Sequence, residues 1–283
     1  MNILKTTSML ALFPLTAAML AIGFTSCGSK TADESVEFQT AKVSWSDSVK
    51  AMVSVATCEI TVDYPESGNV QLVKGVRGWI AEMFKKDFEK ADTALFDNGA
   101  GLVEKIGKHV LNASLKEVAS IDSLNAKMSE PHPVQFNSIF TISNLCDAKK
   151  YVTFTNTNYI YTGGAHGGTF TLGQTFNAAD GKRLEWENMF ASESLPQLAQ
   201  LVKEGLRTQY FKVETEEELQ KALFVNAEQL PLPAVQPYFT AEGVNFIYQQ
   251  YEIAPYSAGL PACVLPYKDV KSLMTPEAAA LVD

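Results

Sequence analysis

The strongest constraint on the fold is a run of alternating residues between Tyr151 and Tyr161, with the sequence YVTFTNTNYIY. Aromatic residues or valine alternate in this run with threonine or asparagine. Successive side chains of a β-strand point to opposite faces of the sheet, so a two-residue period separates the two kinds of residue by face. The run therefore predicts a strand in a sheet that has one buried face.

Other segments of the chain show either this strand period or the spacing of a helix. The predicted elements are two strands within residues 36–64, helices at 70–88 and 102–128, strands at 134–145, 151–161, 169–176 and 182–186, helices at 195–210 and 216–224, strands at 237–240, 243–249 and 263–265, and a terminal helix. Groups of strands alternate with groups of helices, which is the order of an α+β fold. We predict antiparallel sheets with packed helices, in two closely associated halves, residues 36–150 and 151–283.

The N-terminus has the features of a bacterial lipoprotein signal. A lysine is followed by an apolar run that is too short and too interrupted for a membrane span. The small residues before Cys27 match a lipobox, in which the cysteine thiol is diacylated and becomes the new N-terminus. We predict a signal peptide at residues 1–26, lipidation of Cys27 and a tether at 27–35. An ordinary secretory signal with a chance cysteine is the alternative.

Acyl chains on a cysteine anchor a protein to a membrane, so the mature chain needs no transmembrane helix. The predicted location is the cell envelope, either periplasmic or exposed at the surface. The chain has 23 basic and 32 acidic residues, so its net charge is 23 − 32 = −9. This charge argues against nucleic acid and against an anionic membrane surface as the main ligand, and it is compatible with a cationic partner.

The remaining three cysteines allow at most one intramolecular disulfide, and their apolar contexts favour buried thiols: Cys58, Cys146 and Cys263. The sequence has no CxxC pair, and its three histidines lack the spacing of metal ligands. We therefore expect neither a metal site nor a cofactor.

The first distinctive motif is YTGGAHGGT, Tyr161 to Thr169, which lies between two predicted strands. It lacks the lysine and the following helix of a phosphate-binding loop, and no GxSxG elbow accompanies it. Three interpretations remain. The loop that contains Gly163 and Gly164 is a recognition surface, or His166 is a general base, or the segment is a tight hairpin with a structural histidine.

The second motif is YQQYEIAPYSAGLP, which begins at Tyr248. Its prolines stiffen an irregular loop, and tyrosines offer the rigid amphipathic surface that recognition sites use. Candidate binding residues are Tyr251, Glu252, Pro255 and Tyr256. Glu252 is the expected partner of His166 or of a cation on the ligand. In the alternative interpretation the tyrosines only cover the edge of the sheet.

The two motifs, with a DGK turn and a leucine-rich helix between them, resemble the RsiV-like extracellular domain family over most of residues 50–270. The family includes the lysozyme-binding ectodomain of an anti-sigma factor and a non-catalytic domain of a polysaccharide deacetylase. The resemblance implies an exported α+β domain that works at the cell wall, with the YEIAPY loop on the ligand-facing surface. This chain shows neither a sigma-binding segment nor a deacetylase domain.

These observations lead to a lipid-anchored binding protein that recognises a lysozyme-like protein or a peptidoglycan fragment, as a sensor or an inhibitor. No catalytic signature supports an enzyme. The alternatives are a hydrolase that uses His166 and Glu252 as an acid–base pair, and a structural lipoprotein without a small ligand.

Overall fold

The computed structural model of the protein describes three ranges: residues 37–84, 98–128 and 132–283. The predicted signal peptide, Cys27 and the tether lie outside them. Within the described ranges the fold is α+β, as predicted, with two sheets of mainly antiparallel strands and seven α-helices. No helix in these ranges has the length and the hydropathy that crossing a membrane requires.

The larger sheet has six strands in chain order: β1 (Gln39–Lys50), β2 (Val55–Ser67), β3 (Gln135–Asp147), β4 (Tyr151–Thr162), β5 (Gly168–Asn177) and β6 (Arg183–Leu184). Neighbouring strands are antiparallel except β2 and β3, which are parallel because two helices connect them. The sheet crosses the predicted boundary between residues 150 and 151, since β3 and β4 are adjacent in it.

Two helices cover one face of this sheet: α1 (Val70–Met83) and α2 (Gly99–Asn125). Trp79 and Ile80 of α1 are buried against Phe154 and Phe176 of the sheet. Helix α2 lies close to β1 because Gly107 has no side chain, and a Cβ atom there would come within 1.9 Å of the Trp45 ring.

A second body packs against the other face of β4 and β5. It contains a three-stranded sheet and five helices: β7 (Tyr238–Phe239), β8 (Gly243–Ile247), β9 (Ala262–Pro266), α3 (Trp186–Met189), α4 (Leu195–Gly205), α5 (Glu216–Ala222), α6 (Tyr267–Val270) and α7 (Pro276–Leu281). Phe239 donates its backbone N–H to the Thr175 hydroxyl of β5, and Tyr238 fills the space above Gly173. The first four residues of β4 are therefore buried on both faces, and not on one face as the alternation predicts.

Two local predictions differ from the structure. The strand predicted at 182–186 is only Arg183–Leu184, because Glu185 and Asn188 form a capping box that starts α3. The helix predicted at 195–210 changes after Gly205 into a π-helical segment, Leu206–Phe211.

The strands define two ends of the molecule. At the entry end, residue 37 leads into β1. At the far end lie the β1–β2 turn, the end of α2 and the hairpin loop between β4 and β5. The 12 residues of β1 make the two ends roughly 40 Å apart.

Candidate functional site

The first motif forms the loop of the β4–β5 hairpin at the far end. Gly163 and Gly164 have φ angles of 85° and 96°, a region that residues with a Cβ atom rarely adopt. The Tyr161 hydroxyl donates to the carbonyl of Gly164 at 3.0 Å and holds the loop against its own strand. Two of the four glycines are therefore required by the backbone conformation.

His166 lies in this loop with both ring nitrogens engaged. Its Nδ1 is 3.1 Å from the carbonyl oxygen of Gly167, and because a carbonyl only accepts, Nδ1 carries the proton. In this tautomer Nε2 is an acceptor, and it accepts a hydrogen bond from the Tyr251 hydroxyl at 3.4 Å. Gly167 also lets the loop approach its own strand, since a Cβ atom there would be 2.5 Å from the Tyr159 ring.

The second motif is joined to the first by two glutamines. The outer edge of β5 is paired with β6 only at residues 175 and 176, which leaves earlier backbone groups without a strand partner. Gln249 replaces that partner at Thr171: its Oε1 accepts the N–H at 3.0 Å and its Nε2 donates to the carbonyl at 2.7 Å. Gln250 accepts the N–H of Thr169 at 2.7 Å. The QQ pair therefore fixes the second motif to the edge of β5.

Glu252 bonds within the loop and also ties the loop to the segment before β7. One carboxylate oxygen accepts the N–H of Gln249 at 2.7 Å and the other accepts the N–H of Ala234 at 2.8 Å. In the described part of the chain, no hydrogen bond or ion pair joins Glu252 to His166. The expected pair is therefore not formed, because the backbone N–H groups of Gln249 and Ala234 occupy both oxygens.

Three rings meet at the surface and form what we call the aromatic triad: His166, Tyr251 and Tyr256. Tyr256 stacks on His166 with ring centroids 3.7 Å apart and planes at 19°, and its ring is 5.9 Å from that of Tyr251. Pro255 begins the 3₁₀ turn that carries Tyr256. Tyr251 has a φ of 65°, which is strained for a residue with a side chain, and it is 56% exposed.

The aromatic triad borders a shallow depression of about 410 Å³. Ile160 and Phe170, both substantially exposed, line its floor, and Thr162 and Thr169 add hydroxyl groups. Aspartate, glutamate, lysine and arginine are absent from the lining. The depression therefore offers ring faces, aliphatic surface and neutral hydrogen-bonding groups.

The π-helical segment supports this loop through contacts that no sequence pattern indicates. The Tyr210 hydroxyl donates to the carbonyl of Ala258, and burial raises the pKa of Tyr210. Gln209 bonds the N–H and the carbonyl of Val264, both at 3.0 Å, in the way that Gln249 bonds Thr171. No local pattern marks these residues, because their partners lie about 50 residues away.

The cysteine and acidic side chains of the described residues are not arranged as a metal site. The described residues contain no group of three or more histidine, cysteine, aspartate or glutamate side chains placed to hold a metal ion. The three cysteines that they contain are unpaired. Burial, with a smaller effect of Glu59, raises the pKa of Cys58 to about 12, and burial raises that of Cys263 to about 12, so both thiols stay protonated at neutral pH.

A second depression, the entry cleft, has a volume of about 860 Å³ and lies at the entry end. Its lining includes four charged residues: Glu37, Asp147, Lys149 and Lys150. Burial, and then the neighbouring Glu37, raises the pKa of Asp147. Neither distinctive motif contributes a residue to this cleft.

Residues 187–268 match the model of the DUF3298 domain, whose family description is "protein of unknown function". This range includes the second motif and begins after the His166 loop. The structure is similar to that of a DUF3298 family member from Bacteroides fragilis, with a TM-score of 0.68 and 17% identity over 87% of this chain and 97% of the other. A DUF3298 family protein from Pseudomonas aeruginosa gives a TM-score of 0.57 at 17% identity, with 86% and 96% of the chains covered. The TM-scores show a shared fold. No curated protein matches the sequence.

Proposed function

We propose that the protein is a lipid-anchored binding protein of the cell envelope that recognises a lysozyme-like protein through the aromatic triad. The observation that carries this proposal is Tyr251, an exposed side chain held at a strained positive φ beside the stacked rings of His166 and Tyr256. Backbone strain of about 1–3 kcal/mol persists only where the surroundings enforce it, and it is concentrated at functional sites.

The surroundings of Tyr251 do enforce its conformation. Gln250 on one side is bonded to β5, and Glu252 on the other accepts two backbone N–H groups. A loop fixed in this way loses little conformational entropy when a ligand binds. Tyrosine rings add a large contact area with few rotatable bonds, which is why they dominate energetic centres of interfaces.

The choice of a lysozyme-like partner depends on charge and on resemblance. A net charge of −9 speeds the encounter with a cationic protein, although the depression itself has no acidic side chain. The two motifs resemble RsiV-like domains, in which the corresponding loop faces lysozyme. Binding by this protein would block a lysozyme-like partner or report its presence, so the protein would act as an inhibitor or a sensor.

A peptidoglycan fragment is the second candidate ligand, and one observation favours it. The depression combines ring faces with neutral hydrogen-bonding groups, a lining that suits an uncharged sugar. The amide nitrogen of Gln250 has no partner within the described residues, so it remains available as a donor to a ligand.

The proposed location follows from the predicted lipidation of Cys27. In the described part of the chain, residue 37 lies at the entry end and the aromatic triad at the far end, roughly 40 Å away. We expect Cys27→Ser to move the protein from the membrane fraction to the soluble fraction, and retention in the membrane would contradict lipid anchoring.

The binding proposal is tested by calorimetry of the purified protein with egg-white lysozyme and with muropeptides, at low and at high salt. We expect lysozyme to bind and its affinity to fall with salt, because the encounter is electrostatically assisted. Tyr256→Ala should lower the affinity roughly 30-fold, the effect of losing a hot-spot side chain. Tyr256→Phe keeps the ring stacked on His166 and is the matched control. Unchanged affinity of Tyr256→Ala would exclude the triad as the binding site.

A further inference from the structure

We propose that the surface that docks the protein partner extends beyond the aromatic depression, across the far end, to the β1–β2 turn and the last turn of α2. This inference rests on the proposed function, because it describes how a protein ligand of the triad would be held. The added contact residues are Met52, Val53 and Leu124, which belong to neither motif and lie outside the DUF3298 match.

Several large apolar side chains are exposed at the far end. At the far end, the large apolar side chains exposed by 40% or more include, besides Met128 (56%) just after α2, these six: Met52 (65%), Val53 (45%), Leu124 (61%), Ile160 (45%), Phe170 (40%) and Tyr251 (56%). Contiguous apolar surface of this kind marks interaction sites in soluble domains. Three of the six lie on the β1–β2 side of the hairpin loop, and three line the depression.

A chain of hydrogen bonds and one van der Waals contact connects the two sides of the far end. Asp122 of α2 is 1% exposed and accepts the N–H groups of Val53 and Ser54 at 2.8 and 3.1 Å, as well as the Ser54 hydroxyl. The hydroxyl of Ser54 in turn accepts the N–H of Val134 at 2.9 Å. Val134 is close to Gly163 of the hairpin loop: its Cγ1 atom lies 3.9 Å from the position that a Cβ atom at Gly163 would take.

The aromatic depression is smaller than an ordinary protein interface. Eleven residues line the depression, whereas a protein interface of ordinary size takes about 20–30 residues from each partner. A protein that covers the triad must therefore cover neighbouring surface as well. Strands β2 and β5 are three strand spacings apart, a distance of about 14 Å. The β1–β2 turn therefore lies within the footprint of such a partner. A muropeptide is much smaller than a protein partner and does not require contact with the turn.

The experiment compares two double variants of the full-length protein by calorimetry with lysozyme and with muropeptides. Met52→Ser with Leu124→Ser removes apolar contact at the far end. Val70→Ser with Leu145→Ser is the matched control, because these side chains are also exposed (77% and 48%) and lie at the entry end. We expect the first pair to weaken lysozyme binding about tenfold, to leave any muropeptide binding unchanged, and to leave the urea midpoint within error of the control.

Each outcome separates this inference from the proposed function. Loss of lysozyme affinity in Tyr256→Ala with no loss in the Met52→Ser, Leu124→Ser variant would overturn the extended surface and keep the triad as the site. A wild-type protein that does not bind lysozyme would overturn both. Equal losses in the far-end and entry-end variants, or a parallel loss of muropeptide binding, would overturn the inference by showing a general structural effect.

Discussion

The aromatic depression and the entry cleft lie at opposite ends of the protein and differ in every respect that bears on binding. The entry cleft is about twice as large, at about 860 against 410 Å³, and carries charges of both signs. Its walls come from the segment before β1, from the turns at 147–150 and 177–179, and from single residues of α1, β4 and α7. The walls of the smaller depression come from the two distinctive motifs.

The proposed binding site is the smaller of the two depressions, so the proposal depends on order and not on volume. The entry cleft has few side chains fixed by several bonds, with Asn69 as the main exception. At the aromatic depression, Gln249, Gln250 and Glu252 each bond to backbone groups and hold the rings in place. Binding costs less conformational entropy where the binding groups are already ordered, which favours the smaller depression.

The largest loss of stability is expected from Asp122→Asn, which weakens the rigid connection at the far end. The carboxylate accepts bonds from Val53 and Ser54 through both oxygens, and an amide has only one acceptor oxygen. We expect the urea midpoint at neutral pH to fall further than for any other substitution described below. A midpoint equal to that of the wild type would contradict this role of Asp122.

The same variant has a pH signature. Burial alone would raise the pKa of Asp122, but the bonds from Ser54 and the backbone N–H groups outweigh burial and hold the pKa below its ordinary value of 3.8. The carboxylate therefore stabilises the fold above that value, and the contribution is lost as the pH falls through the folded-state pKa. We expect the wild-type and Asp122→Asn proteins to converge in stability below about pH 4. A constant difference down to pH 2 would argue against it.

Gln249→Ala tests whether the clamp on β5 distinguishes the two depressions. The change leaves the buried N–H and carbonyl of Thr171 without their partner, which costs about 2 kcal/mol of unfolding free energy. Asn69→Ala is the control at the entry cleft, where it removes a helix cap worth about 1 kcal/mol. We expect both to lower the urea midpoint, and only Gln249→Ala to weaken ligand binding in calorimetry. Equal binding by the two variants would remove the distinction.

Gly167→Ala and Gly168→Ala form a smaller and sharper pair in the His166 loop. A Cβ atom at Gly167 would lie 2.5 Å from the Tyr159 ring, whereas at Gly168 nothing lies within 4 Å. We expect Gly167→Ala to cost about 1 kcal/mol of stability and to displace His166, and Gly168→Ala to be nearly neutral. Thermal unfolding and the ring resonances of His166 in NMR spectra measure the two effects. Neutral behaviour of both variants would show that the close approach is unimportant.

The smallest expected effect concerns the entry cleft. Cys146 is only partly buried and precedes Asp147, whereas the raised pKa values of Cys58 and Cys263 keep those thiols protonated. Iodoacetamide should therefore modify Cys146 first in the native protein, as peptide mass mapping would show. We expect lysozyme binding to remain unchanged after this labelling. A loss would indicate that the entry cleft contributes to recognition.

The long elements of the fold were predictable because their patterns are local. The strands β3, β4 and β5 and the helix α2 lie within a few residues of the ranges that periodicity indicates. Short elements were less predictable. The strand β6 ends where the Glu185 capping box begins, and α4 gives way to a π-helical segment whose side chains bond to β9 and to the loop that follows Tyr256.

At the candidate site, the sequence by itself determined which segments are unusual. The glycines around His166 allow the positive φ angles of that loop. The tyrosines and prolines around Glu252 suit a stiff loop with exposed rings. Only the tertiary structure decided what each residue does there. Glu252 turned inward to backbone N–H groups, and Gln249 reached the edge of β5 from 78 residues away. Periodicity reports which face of its own element a residue occupies, whereas these roles depend on backbone groups that distant strands leave unpaired.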